Sequence, residues 1–279
     1  MIYDTSTVTN LMRKHPITSL SQLKTFLKEI ESLLPSRTDK DKPIFEVRFS
    51  GFGSRADPEA MLEAAKKSMA AMGIEKGDRK IFFFDGDNFS MGSFTSVVHS
   101  IWKSDPNNTV IVPVRGPPRE GTNHDGFFES WTGIPIYLLE LTEDMRTESL
   151  KHVTEIVGPD SASRASLRIL DEKQRDYTKL GWWCILNLPL DAIISLGGGD
   201  TTGNEAKMYT AYKEANAETV IAPKWFVHTL DRAGAKEGDE RQKCDEFLVT
   251  FKMDMDAEMA KKKGEKKEEE EGADSMPVD

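Results

Sequence analysis

Lys80–Asp85 reads KIFFFD, four large apolar side chains in a row with a charge at each end. Successive residues of a strand point to opposite faces. An extended segment of this composition therefore needs cover on both sides, as in a parallel sheet held between two layers of helices. Ile44–Ser50 (IFEVRFS), Thr109–Val114, Ile134–Leu141, Ala192–Leu196 and Thr219–Ala222 predict further strands, and Phe247–Phe251 a candidate edge strand. Helical patterns separate them. One starts at Asp57-Pro58, with Asp as N-cap and Pro at the first helical position, and runs to Met72 before Gly73. Others cover Ser93–Lys103, Ser161 to about Trp183, and Asn204–Ala215. This alternation predicts an α/β fold: a Rossmann-like, doubly wound, mainly parallel sheet with helices on both faces. Ligands of such sheets bind at the carboxyl ends of the strands, where the strand order reverses. The loops after Ser50, Phe84, Val114, Leu141 and Leu196 are therefore the places to look for a site.

Three segments follow from composition. Residues 1–43 read as an appendage. Within them Leu20, Leu23, Phe26, Leu27, Ile30, Leu33 and Leu34 mark an amphipathic helix over Ile17–Leu34, capped by Ser19 or Ser21 and stopped by Pro35. Residues 44–253 form the α/β body. Residues 254–279 hold ten Asp/Glu against five Lys, half of the formal charge of −10, and such a tail is expected to be disordered. The acidic balance argues against general nucleic-acid binding, which needs clustered Lys and Arg. No apolar run reaches the ~20 residues of a membrane span. Two cysteines, Cys184 and Cys244, cannot build a disulfide framework or a four-ligand zinc site. A cytoplasmic location is the expectation.

The segment Asp191–Tyr212, DAIISLGGGDTTGNEAKMYTAY, carries the most chemistry. A predicted strand runs into Gly197-Gly198-Gly199, then Asp200, Thr201 and Thr202, then a helix with Glu205 near its start. Glycines let the backbone approach a ligand and present consecutive N–H groups to it. The helix N-terminus favours an anion, and the threonine hydroxyls can donate to the same phosphate. The alternative is a tight strand–helix turn capped by Thr or Asp.

The nine residues Gly197–Glu205 resemble the P-G-G-x-G-T-x-x-E motif of the Lonely Guy group of nucleotide phosphoribohydrolases, within the wider SLOG superfamily. Gly197 stands for the Pro and Thr201 for the third Gly. Gly53-Ser54 is similar to the G-S turn after that family's first strand. Asp85-Gly86 to Met91-Gly92 stands at its second Gly-rich loop, and Asp144-Met145-Arg146 at its D-M-x-x-R-K segment, with Glu148 at the arginine position and Thr147–Pro189 inserted. The resemblance covers about Ile44 to Phe226. It implies a Rossmann-like fold, a nucleotide or phosphosugar ligand, and cleavage of a ribose N-glycosidic bond. Glu205 would then assist cleavage and Arg146 or Arg115 would orient the substrate. The altered loop after Phe84 and the displaced arginine favour a binding-only member, a sensor or scaffold.

Gly198–Glu205 is also similar to the G-G-D-G-T-x-N-E motif of diacylglycerol, sphingosine and NAD kinases. Too few residues follow Glu205 for the β-rich second domain of those enzymes. Magnesium enters only under this kinase reading, and no cofactor or metal is otherwise expected. A homodimer stays open.

Three other places can carry function. Asp85 and Asp87 could hold a ribose diol or a divalent cation, or could simply form an Asx turn. Arg115 and Arg119 could clamp an anion, with His124 and Asp125 as acid–base groups in a lid-like loop, or lie in a solvated surface loop. Trp182–Leu186 and Pro223–Phe226 are expected to pack, and Cys184 has no neighbouring base that would make it a nucleophile.

Overall fold

The structure, a computed structural model, describes residues 11–34, 43–51, 58–85, 92–117, 134–157, 172–197, 200–216, 223–228 and 230. Seven strands are present among them: β1 Leu11–Ile17, β2 Phe45–Gly51, β3 Lys80–Asp85, β4 Thr109–Arg115, β5 Pro135–Leu141, β6 Ala192–Leu196 and β7 Lys224–His228. The helices are α1 Leu20–Leu33, α2 Pro58–Ala71, α3 Gly92–Ser104, α4 Glu143–Val157, α5 Glu172–Asn187 and α6 Asp200–Ala215. All strands pair in parallel, in the order β1-β5-β4-β3-β2-β6-β7. The chain thus forms the Rossmann-like α/β sheet that the strand–helix alternation predicts.

The two faces of β3 show why KIFFFD is apolar throughout. Phe82 and Phe84 pack with Met61, Ala64 and Ala65 of α2 and with Val97, Val98 and Ile101 of α3. Ile81 and Phe83 pack on the other face with Leu23, Phe26, Leu27 and Ile30 of α1 and with Leu180, Trp183 and Cys184 of α5. Beyond β2, Ile193 and Trp225 are covered by Trp182 of α5 and by Ala206, Met208 and Tyr209 of α6. Each such Phe contributes roughly 2–3 kcal/mol by leaving water. The Cys184 thiol is pushed up to about 12 by burial, so it packs as a small apolar group.

Several boundaries differ from the sequence reading. The α1 helix is as expected, with Ser19 Oγ accepting from the Gln22 N–H at 3.3 Å. It is no appendage, however. Leu11–Ile17 adds an edge strand to the sheet by pairing with β5, and α1 covers that end of the core. LMRKHPI hides this strand because an edge tolerates charge and even Pro16, whose missing N–H is not needed on the open side. Lys224–His228 forms a strand that the sequence did not predict, and the predicted strand Thr219–Ala222 lies outside the described residues. Trp225 is accordingly a strand residue, and its indole N–H donates to Ser195 Oγ at 2.7 Å inside the core. Trp182–Leu186 is core as expected, but on the helix α5, which begins at Glu172. The expected helix start at Ser161, the strand Phe247–Phe251, the loop with Arg119, His124 and Asp125, and the tail 254–279 lie outside the described residues.

No helix among the described residues is long and apolar enough to cross a membrane.

Candidate functional site

From β2 the chain moves stepwise to β3, β4 and β5 on one side; β6 and β7 lie on the other. The order therefore reverses between β2 and β6, and the crevice of a doubly wound sheet opens above that pair of carboxyl ends. Gly51 ends β2 directly opposite Leu196, the last residue of β6. Gly51 has φ +127°, and a Cβ there would lie 2.5 Å from the Leu196 carbonyl oxygen. The position accepts only glycine, by conformation and by space. Gly197 follows with φ +70°, and its N–H donates to the His228 carbonyl at 2.7 Å. The two glycine-bearing turns singled out in the sequence thus leave neighbouring strands at the reversal point.

Asp200 and Thr201 open α6, and Thr202 is buried in its first turn. Glu205 lies one turn further on and is only 3% exposed. Its carboxylate does not face an open mouth. Oε2 accepts from Arg48 Nη1 at 3.0 Å and from Ser50 Oγ at 3.3 Å, and Oε1 lies 3.5 Å from Arg48 Nη2. Arg48 is in the middle of β2 and equally buried. Burial pulls its guanidinium pKa down, but Glu205, with smaller contributions from Cys184 and Asp85, more than offsets that and holds it above its ordinary value. Asp85 ends β3, the next strand, half-buried. Arg48 therefore sits in the field of two carboxylates, one from α6 and one from the sheet edge.

The two arginines expected near the ligand lie farther along the same edge. Arg115 ends β4 and is almost wholly buried, with Nε 3.0 Å from Glu140 Oε1 and Nη2 on the same oxygen. Arg146, on α4, pairs with Glu143 and lies so close to Gly116 that a Cβ there would sit 2.1 Å from its Nη1. With strands about 4.8 Å apart, the end of β4 is about 10 Å from that of β2. The structure gives Glu205 and Arg146 different partners, Arg48 and Glu143. Gly53, Ser54, Gly86, Gly198 and Gly199 lie outside the described residues.

Arg48, Ser50 and Gly181 escaped the sequence reading. The signal was present in IFEVRFS, where one face of the strand reads Glu46, Arg48, Ser50. A polar face on a strand covered from both sides needs buried partners, and Glu205 supplies one for Arg48 and Ser50. Compared with models of known protein families and with curated proteins, the chain matches none.

Proposed function

We propose that this protein binds a nucleotide or phosphorylated nucleoside at the carboxyl edge of its sheet, with the phosphate at the Gly197–Thr202 turn. The observation that carries this reading is the reversal of strand order between β2 and β6, which sets the Gly51 and Gly197 turns and the N-terminus of α6 side by side. Backbone N–H groups of such a turn, together with the helix N-terminus, favour an anion. The resemblance to the Lonely Guy and SLOG proteins supports the same ligand class.

Between binding alone and N-glycosidic hydrolysis, the environment of Glu205 favours binding alone. A carboxylate that accepts from Arg48 and Ser50 is engaged inside the protein and is not directed at a sugar. A thermal-shift panel of nucleoside monophosphates, NAD, ADP-ribose and ATP, with and without magnesium, tests the proposal. A ligand at 100 times its Kd stabilises by about 2.7 kcal/mol. Gly198→Val and Gly199→Val should abolish the shift. Unchanged binding by both variants, or no shift with any ligand, would overturn the reading. Release of free base from a monophosphate would reinstate hydrolysis, and magnesium-dependent ATP consumption with a lipid or NAD acceptor would favour the kinase class.

A further inference from the structure

The Arg48–Glu205 pair joins the two halves of the sheet across the reversal point. Arg48 belongs to β2, the last strand on one side, and Glu205 to the helix that leaves β6 on the other. A third element closes over the pair. Gly181 lies in the interior of α5, and a Cβ there would be 1.8 Å from Glu205 Oε1 and 2.8 Å from Arg48 Nη2. Glycine weakens a helix interior, so its presence in α5 calls for a packing reason, and the clearance for the ion pair is one. The guanidinium meets the carboxylate with two nitrogens, and Ser50 adds a third donor. Such a fork constrains orientation as well as distance, unlike a lysine point charge.

We propose that Arg48, Glu205 and Gly181 form a positioning device that fixes the first turn of α6 over the end of β2 and so sets the affinity of the anion site at that edge. The proposal rests on the binding reading above, but none of the three residues needs to touch the ligand. Glu205 follows Thr202 by three residues, so both lie on the side of α6 turned toward the sheet. A rotation of the helix that freed the carboxylate would also re-aim the N–H groups of the first turn. Anion affinity depends on that aim, whereas the apolar side of α6, where Ala206, Met208 and Tyr209 are buried, holds the helix on the sheet whatever its rotation by a few degrees.

The informative variant is Gly181→Ala, which removes no charge and displaces the pair. Affinity for AMP and for inorganic phosphate is measured by calorimetry, well below the unfolding temperature. Amide hydrogen exchange over residues 200–207 is measured on the same samples. The expected result is a loss of affinity of about tenfold or more, with faster exchange in 200–207 and unchanged exchange in β3 and β4. Adding Glu205→Asp shortens the carboxylate arm and should restore part of both, and it serves equally if Gly181→Ala alone does not fold. Arg48→Lys should weaken binding while keeping the charge. Wild-type exchange at 200–207 in Gly181→Ala and Arg48→Lys, or no recovery on adding Glu205→Asp, would overturn the proposal. If the wild-type protein binds neither probe, the binding reading fails at these ligands, and the exchange data still decide the positioning role.

Discussion

The two ends of β2 carry charge in opposite ways. Toward the carboxyl end, Arg48 and Glu205 neutralise each other across the reversal point. At the amino end, Glu46 is buried beside Asp191 and Glu31, and its Oε1 has no hydrogen-bond partner among the described residues. Burial first, then the Asp191 and Glu31 carboxylates, raise its pKa to about 8. The Glu46 N–H, by contrast, donates to Asp191 Oδ2 at 2.8 Å. One glutamate is thus buried against a dedicated cation, and the other is pushed toward its neutral form by burial and by neighbouring carboxylates. Pairing fixes geometry, because a forked ion pair has a direction. Protonation only removes a charge.

The largest expected effect comes from breaking the pair at the carboxyl end. Arg48→Met leaves Glu205 buried without its cation and should cost about 3–5 kcal/mol in denaturant unfolding. A loss below 1 kcal/mol would mean that Glu205 finds another partner or reaches water, and the contrast between the two ends would disappear.

A smaller loss should follow Lys80→Met at the amino end. Lys80 Nζ is 2.7 Å from Asp105 Oδ2, also a buried pair. Asp105 keeps two further donors, the Gly77 N–H at 2.6 Å and Asn108 Nδ2 at 2.7 Å. Burial opposes ionisation of Asp105, but Lys80, Asn108 and Gly77 together hold its pKa below the usual value. About 1–3 kcal/mol is expected. A cost equal to that of Arg48→Met would show that these remaining donors do not compensate.

A pH profile tests the other end. Glu46 ionises near 4.5 when exposed and near 8 in the folded chain. Its contribution to stability is fully present below about pH 4.5 and is lost as pH rises toward about 8. Glu46→Gln should therefore flatten the fall in stability between pH 5 and pH 9, measured as a ratio to wild type at matched ionic strength. A wild-type slope retained in Glu46→Gln would assign the pH dependence to other groups.

Legibility in the sequence followed local physics. KIFFFD and Ala192–Leu196 declared themselves as strands, because two-sided burial demands unbroken apolar runs. The α1 helix was readable from its spacing and its serine cap. The edge strand Leu11–Ile17 was hidden, since an edge relaxes the hydrophobic requirement that makes inner strands visible. The strand Lys224–His228 was hidden, because its place in the sheet is settled by its pairing with β6. At the site, Gly197 and Glu205 drew notice as a motif, but a motif carries no information about direction. The partner of Glu205 lies 157 positions away.

The sequence by itself determined the fold class, because alternation of buried runs and amphipathic helices is a local property of the chain. Only the tertiary structure decided that the order reverses between β2 and β6, that Arg48 rather than Arg146 faces Glu205, and that Gly181 makes room for them. These are contacts between distant segments. Their energies depend on burial and on a few ångströms of distance, which exist only once the sheet has closed its ranks around β2.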